Sequence, residues 1–467
     1  MKALMKALRS ALIGKQSERI QRLGCALAMT LAMTACGGGG SSKVSSTPWP
    51  QPVSSPAVTP PPVDTTAYIM DEFFPDKRFD GLRSLVRPAN PGNPLAETLI
   101  NCTVKMTEAN LCSFSQISLL GMETNSPTID QVMDRVLVSH DWMAVRMREV
   151  LTQMPPELLL IMRGVTAIVI SYDIRPSFYW QGTGAIYIDP ERLWLTTAEQ
   201  STIDQTPDYR SDLGNVFQFY MPARYVYEGD TDLRSLERNL ASVSMRMAAL
   251  FYHELAHAND FYPPSSLATI NRSVPMYQAV LTGSRPSNLL QGTYPLTSEL
   301  MYRLAGVSFR SEVVRAADRL LTAEDVAAEF PLDVANDFYN YSSAREDLAM
   351  LFEEAMMLYS YGLDRDVAVT DLPELLESCS QLLVAWGQRN RLSDSSVLPR
   401  ATMILEAILP EVAAEVTSLF EDRVPIQMRV GENFCSNIVI NPAAARSLVL
   451  SSREKSAPLP ELFLPYL

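Results

Sequence analysis

The residues of this chain best suited to chemistry are His253-Glu254-Leu255-Ala256-His257, set inside a long helical run. Histidines four apart stand one turn apart on the same helix face, so both imidazoles can reach one metal ion. The glutamate between them is placed to act as general base on a water that the ion activates. Zinc is the ion that this pattern suits. The chain holds only 3 histidines, the third being His140, so the pairing concentrates nearly all of its imidazole chemistry in one place.

A zinc site that stays open to water needs one more protein ligand. Asp260 is nearest in sequence, but it stands about 10.5 Å of helix rise beyond His253 and its side chain is short. It reads as a helix-end group, or as one that orients an imidazole through the ring nitrogen turned away from the metal. The stronger candidate is Glu346, in Tyr339-Asn340-Tyr341-Ser342-Ser343-Ala344-Arg345-Glu346, ahead of Ala349, Phe352, Glu353 and Glu354. This stretch reads as a second helix laid on the first, with Ala349 on the Glu346 face small enough to allow close approach. Ser343 and Glu346 also have capping-box spacing, which is a helix start without chemistry. Glu353 or Glu354 is the alternative ligand.

Together, HExxH followed by a tyrosine and then E-x-x-A-x-x-F resembles the gluzincin metallopeptidases, and among them the anthrax-lethal-factor-like zincins. Glu346, Ala349 and Phe352 match that pattern, and Tyr339 precedes Glu346 where those enzymes carry an active-site tyrosine. The resemblance implies Glu346 as third zinc ligand, Glu254 as base, and hydrolysis of a peptide bond. The tetrahedral oxyanion needs a donor. With His140 the only spare histidine, that donor is Tyr339 or Tyr341, and the choice between them stays open. By the same analogy, residues 184–188 are the edge strand that pairs with an extended peptide substrate.

The elements that must position these groups can be read from periodicity. Residues 129–153 carry apolar positions at helical spacing, include His140 as a surface or partly packed side chain, and stop at Pro155-Pro156. Two strands follow, at 166–172 and 184–188. Residues 233–262 return to helical spacing through Leu233, Leu236, Leu240, Val243, Met247 and Leu250, and Pro263-Pro264 ends the run. From Pro263 the chain reads as mostly helical, with strand character only near 425–428 and 437–440. The expected fold is α+β, predominantly helical and zincin-like. A lobe of residues 67–262 would hold a small mixed sheet beside the histidine helix, and residues 263–467 a helical lobe with the third ligand.

The first 35 residues carry 6 basic residues and 1 acid, followed by an apolar run from Leu23 to Ala35. That run is too short to span a membrane and suits a secretory leader. It ends Met33-Thr34-Ala35-Cys36-Gly37, which resembles the lipobox of bacterial lipoproteins, so Cys36 is the expected lipidation site. Residues 36–66, rich in Gly, Pro and Ser, form a tether that cannot bury a core. Gly37, rather than Asp, after the cysteine resembles the outer-membrane default of such lipoproteins. Without residues 1–35 the net charge moves from −14 to −19, which excludes nucleic acid as a partner. Four cysteines remain for an oxidising compartment, and Cys102–Cys112 with Cys379–Cys435 is the preferred pairing because the first closes a short local loop. The sequence thus points to a membrane-anchored zinc peptidase of the cell envelope acting on a peptide or protein. A zinc amidase on cell-wall peptide and a non-catalytic binding or scaffolding lipoprotein are the alternatives.

Overall fold

Short β-branched runs build the first sheet, and buried charges build the second. The computed structural model describes residues 66–74, 82–206, 216–227, 230, 238–373, 376 and 378–439. The expected leader, the lipidation site Cys36 and the tether up to residue 65 lie outside the described residues.

The first sheet has the order β1-β2-β3-β5-β4, from Arg87–Pro88 (β1), Val136–Val138 (β2), Ala167–Ile170 (β3), Phe178–Trp180 (β4) and Ala185–Ile188 (β5). β2, β3 and β5 are parallel and buried along their whole length, which is why they read as unbroken apolar runs. β1 and β4 pair antiparallel at the two edges. The strand at 184–188 is therefore not the edge expected of it, because β4 covers it. β4 has only three residues and sits between Pro176 and Gly182, too short a run for alternation to show.

The helix expected over 129–153 is interrupted. A capping box from Thr128 to Gln131 starts a five-residue helix, Ile129–Met133, and the chain then enters β2. Parallel pairing of Val136–Val138 with β3 overrides the helical spacing of that run. Helix α1, Asp141–Gln153, begins only after His140, whose Nδ1 lies 2.9 Å from Ser139 Oγ. Helix α2, Leu240–Phe261, is capped by Asn239, so Arg238 and Asn239 stand outside the helix expected to include them. Four more helices matter below: α3 Pro286–Thr293, α4 Glu299–Arg310, α5 Ala344–Tyr361 and α6 Leu398–Ile408.

The second sheet is antiparallel, ordered β10-β9-β8-β6 with β7 also on β8. Its strands are Phe219–Tyr220 (β6), Ala223–Tyr227 (β7), Leu363–Asp371 (β8), Val384–Arg389 (β9) and Ile426–Gln427 (β10). Among the described residues after Pro263 helix still predominates and β10 falls within the strand expected at 425–428, but β8 and β9 are strands the periodicity did not show. The described residues form a mixed α+β fold in which about half of the residues are helical. β8 was hidden because Asp364, Arg365 and Asp366 are buried charges in a strand. Asp366 accepts from Arg224 Nε at 2.8 Å and Arg389 Nε at 2.7 Å, and Arg365 donates to Asp337 at 2.6 Å. Buried charges are tolerated when paired in this way, and the strand then lacks the apolar alternation that would announce it. Of the segment 437–440, residues 436–438 form a 3₁₀ turn.

Strands from before and after α2 share the second sheet. Both expected disulfides are present, with Cα separations of 5.5 Å for Cys102–Cys112 and 5.8 Å for Cys379–Cys435. No helix among the described residues is long and apolar enough to cross a membrane. The Asp366 cluster should dominate the stability of the second sheet. Asp366→Ala strands two buried guanidinium groups and should cost about 3–5 kcal/mol in denaturant unfolding of the disulfide-intact chain. A loss below about 1 kcal/mol would mean the arginines find other partners.

Candidate metal centre

Helix α2 is buried on nearly all sides, through Val243, Met247, Phe251 and Leu255 as well as the small Ala248, Ala256 and Ala258. It lies against α5, where Ala349 is also fully buried. The Tyr252 and Phe352 rings meet edge to face at 6.2 Å, and the Tyr252 and Ser360 hydroxyls lie 2.7 Å apart. Ser343 caps α5, its hydroxyl accepting from the Glu346 N–H at 3.2 Å. The reciprocal half of a capping box is absent among the described bonds, and the Glu346 carboxylate turns to the histidines instead.

Glu346 Oε2 lies 3.0 Å from His253 Nε2 and 3.2 Å from His257 Nε2. The three ligand atoms fall within 4.8 Å of one another, and this is the group of His, Cys, Asp or Glu that could hold a metal ion among the described residues. His140 does not belong to it. His253 Nδ1 faces Glu353 Oε2 at 3.2 Å, and Glu353 Oε1 accepts from the Tyr225 hydroxyl of β7 at 2.9 Å. That chain fixes the ring of His253 so that Nε2 points at Glu346. Glu353 thus backs the site from behind a histidine. Glu354 points away, accepting from Asn336 at 2.7 Å, and burial pushes its carboxyl up to about 7.

The charge balance fits a cation. Burial disfavours the imidazolium of His253, but Glu346 and Glu353 outweigh that and push it up to about 10. Burial likewise raises Glu346, yet His257 and His253 hold it well below the usual carboxylate range. A proton on His253 is therefore the charge that neutralises these carboxylates when no metal does. His257 Nδ1 is buried without a hydrogen-bond partner, as suits a ring whose orientation depends on what its other nitrogen binds. Two imidazole nitrogens and one carboxylate oxygen make a donor set that could hold a metal ion, and the Glu346 side chain is 21% exposed.

Glu254 is buried beside the ligands, and desolvation raises its pKa against the lowering pull of His257, His253 and the Tyr179 backbone N–H of β4. The Tyr339 ring stacks on His253 at 6.0 Å and is partly exposed. Tyr341 is elsewhere. It is fully buried, and its hydroxyl donates to Asp333 at 3.0 Å. Asp260 accepts from the Ser287 N–H at 2.7 Å and its hydroxyl at 2.8 Å. It ties the end of α2 to the start of α3, while the group that orients an imidazole is Glu353, which sequence reasoning had weighed only as a ligand. Its seven-residue spacing from Glu346, two helical turns, was the available signal.

Compared with known protein families, with curated proteins and with solved structures, the chain matches none.

Two outcomes follow for metal binding. Because His253 starts protonated, zinc uptake near pH 7–8 should release about one proton, and apparent affinity should rise with pH up to about 10. Calorimetry in buffers of different ionisation enthalpy reads that proton, and uptake without release would contradict the assignment. Glu353→Gln should weaken zinc binding about 10- to 100-fold in competition with a chelator, since it loosens the ring it orients.

Proposed function

We propose that this chain is a zinc-dependent metallopeptidase of zincin type, anchored to a bacterial envelope membrane through lipid on Cys36. The observation that carries the proposal is the meeting of His253, His257 and Glu346 around one point, with the buried carboxylate of Glu254 beside them. His253, His257 and Glu346 would hold the ion. Zinc in that position supplies Lewis acidity, which polarises a carbonyl and acidifies water.

The chain's own groups do the rest. Glu254, with its pKa raised by burial, accepts a proton from the attacking water and delivers it to the leaving amine. Tyr339, beside His253, donates its hydroxyl to the developing oxyanion. Tyr341 takes no part, because its hydroxyl is already committed in the core. β4 is the edge of the first sheet, and its Tyr179 stacks on Phe261 one helical turn after His257, so an extended peptide laid along it would pass near the metal ligands. The envelope assignment draws on the leader, the Met33-Thr34-Ala35-Cys36 sequence, and a pair of disulfides suited to an oxidising compartment.

Glu254→Gln should keep full zinc content and lose about 10²- to 10⁴-fold in hydrolysis of an unfolded protein substrate. Equal activity in that variant would rule out the proposed base. Wild-type cleavage of purified cell-wall peptide alone would make the enzyme an amidase. Zinc binding with neither activity would leave a binding lipoprotein.

A further inference from the structure

Two arginines lie over Phe261, one helical turn after His257, and neither forms an ion pair among the described residues. Phe261 follows His257 by four residues on α2, so its ring continues the face that carries both histidines. Arg285 Cζ lies 4.5 Å from the centre of that ring and Arg345 Cζ lies 5.6 Å from it. Tyr179 of β4 stacks beside the same ring at 6.1 Å, and its hydroxyl is buried without a hydrogen-bond partner. Arg345 adjoins Glu346 in the first turn of α5. An aromatic floor, the edge strand, the third ligand and two cations thus share one small region.

This arrangement runs against local physics. A cation in the first turn of a helix opposes the helix dipole. Like charges over one ring repel, and after burial it is Arg345 that most lowers the pKa of Arg285. Asp260 is the nearby acid, but Ser287 binds both of its oxygens, and it forms no ion pair with either arginine. Arg285 donates to the Val280 carbonyl at 2.8 Å, whereas Arg345 makes no hydrogen bond or ion pair among the described residues. The chain does not lack acids, with 53 against 39 basic residues. Four of its buried arginines, Arg224, Arg365, Arg389 and Arg400, bind a carboxylate, while buried Arg391 binds only carbonyl oxygens. Places where local rules are broken without compensation are where function resides.

We propose that Arg285 and Arg345 form a carboxylate-binding subsite beside the metal centre, which selects peptides bearing an acidic side chain, or a free C-terminus, close to the scissile bond. The proposal rests on the hydrolase reading above and names its substrate class. Two guanidinium forks present several parallel N–H donors to a planar anion, and the Phe261 face holds them in place by cation–π attraction. An incoming carboxylate removes the mutual repulsion of the two cations, so binding energy is available there that a neutral side chain cannot supply.

The test uses the full chain carrying Glu254→Gln, which keeps the metal ligands and does not consume the peptide. Fluorescent heptapeptides are titrated in which a single Glu or its isostere Gln moves through each position, each ending in an acid or an amide. Glu should bind about tenfold or more tighter than Gln at one position. That ratio should fall to near one in R285Q/R345Q and recover in part in R285K/R345K, which keeps the charge and loses the fork. A preference that follows the terminal acid instead identifies the C-terminal carboxylate as the occupant of the same subsite. No difference between acid and amide forms anywhere in wild-type background, or a difference that survives R285Q/R345Q, would overturn the proposal. Failure of the wild-type protein to hydrolyse any peptide would count against the peptidase reading alone, because the binding comparison does not depend on turnover.

Discussion

Three carboxylates and two imidazoles crowd together between α2 and α5, with His253, Glu254 and Glu353 buried and His257 and Glu346 partly exposed, and such a cluster is tolerable only if positive charge sits among them. Burial raises the pKa of Glu254, and the neighbouring Glu346 and Glu353 carboxylates raise that of His253. The carboxylates push the pKa of His253 up to about 10, so a proton there would meet this constraint, as would a divalent ion at the same point. The close approach allowed by Ala256 and Ala349, the half-made cap of α5 and the backing glutamate all follow from the need to bring these charges to one point.

The surrounding architecture holds the two helices from opposite sides. On one side the first sheet reaches the site through β4, whose Tyr179 ring stacks on Phe261 of α2 at 6.1 Å. On the other side the second sheet reaches it through β7, whose Tyr225 hydroxyl binds Glu353. Behind α5 the polar network continues through Asn336, Asn340 and Asp347 to Arg400 of α6. A satisfied buried network of this kind resists rotation of α5 about its axis, which would carry Glu346 away from the histidines. Rigidity of the metal donors is therefore built from hydrogen bonds as much as from apolar packing.

What could be read from the sequence was what depends on local spacing. Two histidines one turn apart, Ser343 three residues before Glu346, and the β-branched runs of β3 and β5 carry their geometry in the chain itself. What escaped depends on partners distant in sequence. β8 looks polar because Asp364, Arg365 and Asp366 are neutralised by residues from elsewhere in the chain, among them Asp337, Arg224 and Arg389. The break after Met133 comes from β3 claiming Val136–Val138, and the edge passed from β5 to β4 because strand order is a tertiary property. The choice between Tyr339 and Tyr341 stayed open in the sequence, and the stacking of Tyr339 on His253 and the pairing of buried Tyr341 with Asp333 separate them. The role of Glu353 needed the position of β7, which no local pattern supplies.

The central claim is that His253, His257 and Glu346 hold one zinc ion. The most direct measurement is diffraction from zinc-soaked crystals of the protein on both sides of the zinc absorption edge. The account predicts a single strong anomalous peak, about 2.0–2.2 Å from His253 Nε2, His257 Nε2 and a Glu346 carboxylate oxygen, with a fourth position open to solvent. A peak coordinated by Glu353 in place of Glu346, or no peak between α2 and α5 at saturating zinc, would contradict it.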